Sequence, residues 1–181
     1  MAGATLRRCT RVKVSLRPLV PADAAWLDPW LADVVALLGC DVAVSAAALC
    51  RRAAQDRAVR ARAIERDGPP IGVALYTLDR PGRAAATIDL VATSPGQARR
   101  GAGMTAARLA EGEMRAAGIS RVYAPAPATH GIAVYFWIRL GYRPLLRPAW
   151  PSERPGVGWL MRDITAGASG GGRRRAPGAG T

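Results

Sequence analysis

The fold is decided by the segment Ser94-Pro95-Gly96-Gln97-Ala98-Arg99-Arg100-Gly101-Ala102-Gly103, a polar loop with several glycines. The apolar, β-branched run at 86–93 predicts a buried strand before this loop, and a helix to about Ala117 is predicted after it. In such a unit the N–H groups of the loop and of the first helical turn converge on one point, where the helix dipole also stabilises an anion. The glycines at 101 and 103 allow close backbone approach, and two arginines add positive charge. The segment therefore predicts a phosphate-binding site.

The helix that follows the loop carries charged residues at helical spacing. Arg108, Glu111 and Arg115 stand at i, i+3 and i+7, which predicts an exposed, ion-paired face. Gly118 is suited to the left-handed conformation that ends many helices. We therefore expect a single helix whose face opposite these charged residues packs in the core.

Two prolines lie in the strand predicted after this helix, at Pro125 and Pro127. Residues i and i+2 of a strand point their N–H groups at the same neighbour, so hydrogen bonding on that side cannot form there. We therefore expect this strand to separate from one neighbour at its end. Thr129 is predicted to cap a short helix over 131–140, and closing strands are predicted at 142–146 and 157–163.

The first half of the chain predicts a strand, two helices and a β-hairpin, in that order. Residues 11–19 alternate apolar and polar, which predicts a strand, and Asp23 is predicted to cap a helix whose apolar stripe is interrupted by Pro29. The proline predicts a kink or two short helices. Ser45 is predicted to cap a second helix, and 59–65 with 71–76 predict a β-hairpin.

The composition is that of one ordinary globular domain, because 181 residues that are 50% hydrophobic and 22% charged can bury one substantial core. No apolar run is long enough to span a bilayer. The three cysteines, Cys9, Cys40 and Cys50, are odd in number and lack metal-ligand spacing, so we expect neither a disulfide framework nor a metal site. The N-terminus lacks the apolar region of an export signal, and the cytoplasm is the expected location.

The formal charge of +13 is concentrated partly at the two ends. Arginines at 7, 8, 11 and 173–175 supply six of these charges, which leaves +7 for the rest of the chain. Such a surplus suits a polyanionic ligand and also suits weak, non-specific binding of nucleic acid. Charge alone does not decide between these two classes of partner.

The order of strand, basic glycine loop, helix, strand, helix and Leu-Gly-aromatic resembles the GNAT superfamily of N-acetyltransferases, most strongly over 86–143. The family loop is Gln/Arg-x-x-Gly-x-Gly/Ala, commonly three residues after a proline. Pro95, Gly101 and Gly103 match it, whereas Ala98 stands at its first position and Gln97 lies one residue early. The family also has a second signature, which consists of an aromatic residue, a tyrosine, any three residues, a glycine and a final aromatic residue. Residues 136–142 match this signature, except that Trp137 stands at the tyrosine position.

The resemblance implies an α/β (α+β) fold over residues 12–164. The composition of the flanking segments predicts a flexible basic N-terminus at 1–11 and a disordered basic tail at 165–181. It implies a mixed, mostly antiparallel sheet of six to seven strands with about four helices, whose splayed fourth and fifth strands admit the pantetheine arm of acetyl-CoA. The residues implied to hold this co-substrate are Val91, Ala92 and Thr93 at the thioester, Ala98, Arg99, Arg100, Gly101, Ala102, Gly103 and Met104 at the pyrophosphate, and Trp137. No metal is implied.

The implied chemistry is direct attack of an uncharged amine on the thioester, in which positioning of the reactants supplies much of the rate. Asp89 is the candidate base, acting through a water; the alternative is a carboxylate that is merely paired with an arginine. His130, the only histidine, is a candidate base, acid or cofactor contact, with a structural role at the start of a helix as its alternative.

The acid for the leaving thiolate is less well defined. Trp137 can donate a hydrogen bond but cannot release its indole proton. Tyr135 is a candidate that lies about 200° around the helix from Trp137, and core packing is its alternative. Because a thiol has a pKa of about 8.5, the thiolate can also leave without full proton donation.

Three functions remain open at this point. The first is N-acetylation of a small-molecule or peptide amine by a monomer or homodimer that binds neither a specific nucleic acid nor a membrane. The second is a non-catalytic acyl-CoA-binding or sensing module, which Ala98 and Trp137 favour. The third is a basic nucleic-acid-associated protein, which the net charge favours.

Overall fold

A computed structural model describes residues 12–39, 42, 44–146 and 156–165. The predicted basic N-terminus at 1–11 and all but Thr165 of the predicted basic tail at 165–181 lie outside these residues. The same holds for Cys9 and Cys40, whereas Cys50 is a free thiol.

The described residues form one seven-stranded sheet in the order β1-β2-β3-β4-β5-β7-β6. All neighbours are antiparallel except β4 and β5, which are parallel. The strands are β1 Val14–Pro18, β2 Val59–Arg66, β3 Pro70–Leu78, β4 Ala85–Thr93, β5 Arg121–Pro127, β6 Arg143–Leu145 and β7 Val157–Asp163. The α-helices are α1 Ala24–Leu38, α2 Ala46–Gln55, α3 Ala102–Ala116 and α4 Gly131–Arg139. The predicted mixed, mostly antiparallel sheet with four helices is confirmed.

Helices cover both faces of the sheet. Buried leucines of α1 and α2, including Leu27 and Leu49, pack with Val73 and Leu75 of β3 on one face. On the other face, Met114 of α3 packs with Ile88 of β4. The sheet is therefore the middle layer of three.

The start of α1 differs from its prediction. The Asp23 side chain does not cap the helix. Instead its carboxylate accepts hydrogen bonds from Arg17 at 2.7 and 2.8 Å, from the Val20 N–H at 2.9 Å and from Trp26 Nε1 at 2.8 Å. The Arg17 guanidinium holds the pKa of this carboxyl at about 2. The helix itself runs through Pro29 as a single element, so two short helices were a wrong alternative.

The predicted exposed ion-paired face of α3 is also wrong at Glu111. This side chain is buried, and it accepts hydrogen bonds from Tyr142 Oη at 3.0 Å and from Arg162 Nη1 at 2.9 Å. A buried carboxylate is stable only when it is paired, and the partners here lie 31 and 51 residues away in sequence. Helical spacing alone cannot distinguish such a residue from a solvent-exposed glutamate.

Candidate active site

The fifth strand separates from the fourth soon after the two begin to pair. Their parallel register consists of Ala85 with Arg121, Ala86 with Val122 and Thr87 with Tyr123. Beyond that point β4 continues to Thr93 and β5 to Pro127 without pairing to each other. We call the gap between these two unpaired strand ends the fork. The predicted splay of the fourth and fifth strands is confirmed.

The two prolines of β5 lie on the side of the fork. The Arg121 N–H donates to the Ala84 carbonyl beside β4, whereas the Ala128 N–H donates to the Gly156 carbonyl beside β7. Hydrogen-bonding directions alternate along a strand. The N–H and C=O groups of odd-numbered residues in β5 therefore point towards β4, and those of even-numbered residues point towards β7. Pro125 and Pro127 consequently lack their N–H groups where β4 would need them, while pairing with β7 continues through both.

The strand opposite the prolines presents donors to the fork. The Ser94 N–H donates to the Ile71 carbonyl of β3 at 2.8 Å. The N–H and C=O groups of even-numbered residues at this end of β4 therefore point towards β3. By alternation, the N–H groups of Val91 and Thr93 face the fork. These donors lie about 6.6 Å apart along the strand, so each can bind a different acceptor inside the fork.

A β-bulge separates the paired half of β4 from its unpaired half. Leu75 of β3 is opposite Leu90, and Tyr76 is opposite Ile88, so Asp89 is the extra residue. The bulge places Asp89 and Leu90 on the same face, that of α1 and α2, because Leu90 packs in the core there and Asp89 contacts α2. The candidate base thus lies just beyond the point at which the fork opens.

The Asp89 carboxylate has partners from two elements. Thr77 Oγ1 of β3 donates to Asp89 Oδ2 at 2.8 Å, and Arg52 Nη2 of α2 lies 3.5 Å from the same oxygen. The Asp89 side chain is 15% exposed. The arginine partner considered in the sequence is present, and the role of Asp89 as a base stays a prediction.

The residues predicted to bind pyrophosphate, 98–104, comprise the end of the connection between β4 and α3 and the first residues of α3, and we call them the phosphate loop. Arg99 has φ of +62° and Gly101, at the N-cap of α3, has φ of +78°. No side chain caps α3, so its first-turn N–H groups have neither an intrahelical partner nor a side-chain cap. Ala98, Arg99, Arg100 and Gly101 are exposed, and a Cβ on Gly103 would lie 3.5 Å from Phe136. The loop therefore presents an open, positively charged helix start.

Helix α4 holds the remaining candidates, and it starts differently from its prediction. His130, and not Thr129, is the N-cap, and its Nδ1 accepts the Ala133 N–H at 3.1 Å. His130 therefore has the structural role at the start of a helix that the sequence analysis gave as its alternative. A neutral imidazole that accepts a hydrogen bond at Nδ1 carries its proton at Nε2. A cap made by an imidazole nitrogen was not anticipated, because hydroxyl and carboxylate side chains are the usual caps.

The two aromatic candidates on α4 face different environments. Tyr135 is 58% exposed and its hydroxyl contacts Arg139 Nη1 at 3.2 Å, so core packing was a wrong alternative. Trp137 is 6% exposed and packs against the rings of Phe136 and Tyr142, with centroids 4.8 and 4.9 Å away. The proposed contact of Trp137 with the cofactor stays a prediction.

Several residues of the site were missed by the sequence analysis. Arg52 and Thr77 contact Asp89, Phe136 lies beside Gly103, and Arg66 of β2 donates to the Arg100 carbonyl in the phosphate loop. Each lies far in sequence from its partner. Only Phe136 belongs to a motif, the signature at 136–142, and its contact with Gly103 was not predicted. Within the described ranges, no group of three or more His, Cys, Asp or Glu side chains is placed to hold a metal ion.

The fork and the uncapped start of α3 match the arrangement that the sequence resemblance implied for an acyl-CoA-dependent acyltransferase. The chain belongs to the acetyltransferase (GNAT) family, whose model matches residues 27–142. It is an acetyltransferase that uses acetyl-CoA as co-substrate for N-acetylation. No curated protein sequence matches the chain significantly. No helix in the described part of the chain has the length and apolar character needed to cross a membrane.

Solved structures of acetyltransferases share the fold. An acetyltransferase from Thermus thermophilus is 22% identical with a TM-score of 0.62, covering 83% of this chain and 96% of that one. An aminoglycoside acetyltransferase in complex with coenzyme A and kanamycin is 18% identical with a TM-score of 0.64, covering 83% and 95%. A spermidine N-acetyltransferase from Vibrio cholerae, in complex with CoA and spermine, is 15% identical with a TM-score of 0.67, again covering 83% and 95%.

Proposed function

We propose that this protein acetylates the amine of a small molecule or peptide, with acetyl-CoA held in the fork and along the phosphate loop. The observation that carries the proposal is the direction of the Val91 and Thr93 N–H groups, which face a gap that none of the described strands fills. Donors fixed in a strand need no reorganisation when a negative charge develops on the thioester oxygen. The fork thus combines a binding slot with a site for charge stabilisation.

The two ends of the co-substrate require different groups. The pyrophosphate carries negative charge, and the first-turn N–H groups of α3, with Arg99 and Arg100, supply donors and positive charge for it. The pantetheine arm is amide-bearing, and the odd-numbered carbonyls of β5 face the fork as acceptors. In this arrangement the phosphate loop anchors the molecule and the fork orients its reactive end.

The amine must lose a proton, and we assign this step to Asp89 acting through a water. The carboxylate lies just beyond the opening of the fork, and Arg52 and Thr77 fix its position. His130 can assist on the leaving-group side only as a hydrogen-bond donor: its neutral form offers the Nε2 N–H to the sulfur, and the thiolate can leave without full proton transfer. Tyr135, the other candidate acid, is directed towards Arg139 at the surface, so we rank it below His130.

The acceptor is proposed as a small-molecule or peptide amine, with kanamycin and spermine bound in two structural neighbours as examples of small amines. No specific nucleic acid or membrane is proposed as a partner, the assembly is proposed as a monomer or homodimer, and the cytoplasm is the proposed location. An amine panel should contain neutral, cationic and peptide acceptors, because the chain itself does not favour one of them.

Replacement of Asp89 by Asn tests the assignment. We expect kcat to fall by roughly 100-fold in an assay of thiol release from acetyl-CoA with the best acceptor of the panel. The KM for acetyl-CoA should stay unchanged, because the phosphate loop is intact. The matched control is Asp33→Asn, which makes the same change on an exposed residue of α1.

Two outcomes would contradict parts of this proposal. If Asp89→Asn lowers the free energy of unfolding but leaves kcat unchanged, the ion pair with Arg52 is structural and another group takes the proton. If CoA binds tightly but no amine of the panel releases thiol from acetyl-CoA, the non-catalytic acyl-CoA-sensing function is favoured instead.

A further inference from the structure

Arg66 is the last residue of β2, and its guanidinium reaches the phosphate loop. Its Nη2 donates to the Arg100 carbonyl at 3.4 Å, across 34 residues of sequence. Its Nη1 is the one buried side-chain nitrogen or oxygen that lacks a hydrogen-bond partner within the described part of the chain. A buried donor without a partner is costly, and such groups recur where a functional requirement maintains them.

Within the described part of the chain, Arg66 also has no carboxylate partner. Arg62, on the same strand, donates to the Glu113 carboxylate at 2.8 and 3.0 Å, whereas the hydrogen bond of Arg66 goes to a backbone carbonyl. Arg99 and Arg100 lie in the loop to which this carbonyl belongs. The positive end of the α3 dipole adds to the same field. This concentration of positive charge is stabilised when an anion occupies the loop.

We propose that Arg66 is a positioning residue for the phosphate loop, an inference that rests on the function proposed above. The Arg100 carbonyl and the Gly101 N–H belong to one planar trans peptide and point in opposite directions. By holding the carbonyl, Arg66 fixes the direction of a donor at the start of α3. Its charge also replaces part of what is absent at Ala98, where the family has a polar side chain.

The test compares Arg66→Gln with Arg60→Gln. Arg60 lies on the same strand, about 20 Å away, and it also donates to backbone carbonyls, those of Arg57 and Val59. We expect Arg66→Gln to raise the KM for acetyl-CoA roughly tenfold with kcat unchanged, and Arg60→Gln to change neither. S-acetylpantetheine lacks the phosphates that the loop is proposed to hold, so both variants should use it as well as the unaltered protein does.

Stability separates positioning from a purely structural role. Arg66→Gln removes a repulsive charge and an unpaired donor, so the midpoint of thermal unfolding without CoA should not fall, while the upward shift that CoA causes should shrink. Arg66→Lys, which restores the charge, should recover part of the affinity for acetyl-CoA.

The inference is overturned if Arg66→Gln behaves as Arg60→Gln does towards acetyl-CoA. It is also overturned if Arg66→Gln weakens S-acetylpantetheine and acetyl-CoA equally, or if its unfolding midpoint without CoA falls. These results leave the proposed function intact, because they presuppose turnover by the unaltered protein. Absence of turnover by the unaltered protein with every donor and acceptor would instead reject the proposed function.

Discussion

Among the described residues, Asp23 makes a dense set of contacts that the sequence did not predict. Its carboxylate joins Arg17 of β1, the Val20 N–H and Trp26 of α1, and Arg17 Nε in turn donates to Glu65 of β2 at 2.8 Å. The side chain is only 6% exposed, so solvent screens these interactions weakly. One carboxylate thus fixes the first helix to the edge of the sheet.

The acid stability of the protein should depend on Asp23. Its pKa is about 2 when folded, against 3.8 ordinarily, so its contribution is complete above about pH 4 and is lost as the pH falls towards 2. This shift corresponds to about 2 kcal/mol. We expect Asp23→Asn to lower the free energy of unfolding by about that amount at pH 7 and to flatten its dependence on pH between 4 and 2.

Denaturant unfolding over that pH range is the measurement, with Asp33→Asn as the control of equal charge change on an exposed site of α1. If Asp23→Asn and Asp33→Asn lose stability in parallel as the pH falls, the network around Asp23 does not contribute as described.

At the level of elements, the close contact of β3 with β4 positions the donors of the fork. A Cβ added to Gly72 would lie 2.3 Å from the Ala92 carbonyl oxygen and 3.0 Å from Thr93 Cα. Both contacts are backbone atoms, which cannot move aside without displacing β4. Glycine at this position therefore keeps the unpaired half of β4 against the sheet, with its donors aimed into the fork.

Gly72→Ala should therefore affect stability and binding together. We expect a loss of about 2 kcal/mol in the free energy of unfolding and a several-fold weaker affinity for CoA, measured by calorimetry. Gly82→Ala is the control, because a Cβ there has no atom within 4 Å. Equal stability of the two variants would show that β4 does not depend on this contact.

The elements that the sequence predicted well are those with local signals. The hairpin of β2 and β3, the Ser45 cap of α2 and the closing glycine of α3 depend on residues near one another in the chain. The prolines of β5 predicted a separation, since a missing N–H is a property of the residue itself. The bulge at Asp89 carried no such signal, because it arises from pairing with β3.

At the scale of the whole molecule, the unpredicted part of the site comes from long-range pairing. Glu111 has the spacing of a surface residue, yet Arg162 of the last strand covers it. In a chain of net charge +13, nothing in the sequence distinguishes Arg66 from the other arginines. Its contact with the phosphate loop arises only from the fold. Motifs therefore located the loop and the separating strand, while three-dimensional contacts supply the groups that hold them in place.

The central claim is that acetyl-CoA lies in the fork with its phosphates at the start of α3. Amide hydrogen exchange, followed residue by residue with and without CoA, tests it most directly, because exchange reports on individual backbone donors. We predict that CoA slows exchange at Val91 and Thr93 and at Gly101 to Met104, whereas exchange at Asp67 and Gly68 in the hairpin turn is unchanged. Tight CoA binding with protection outside β4 and the phosphate loop would contradict the account.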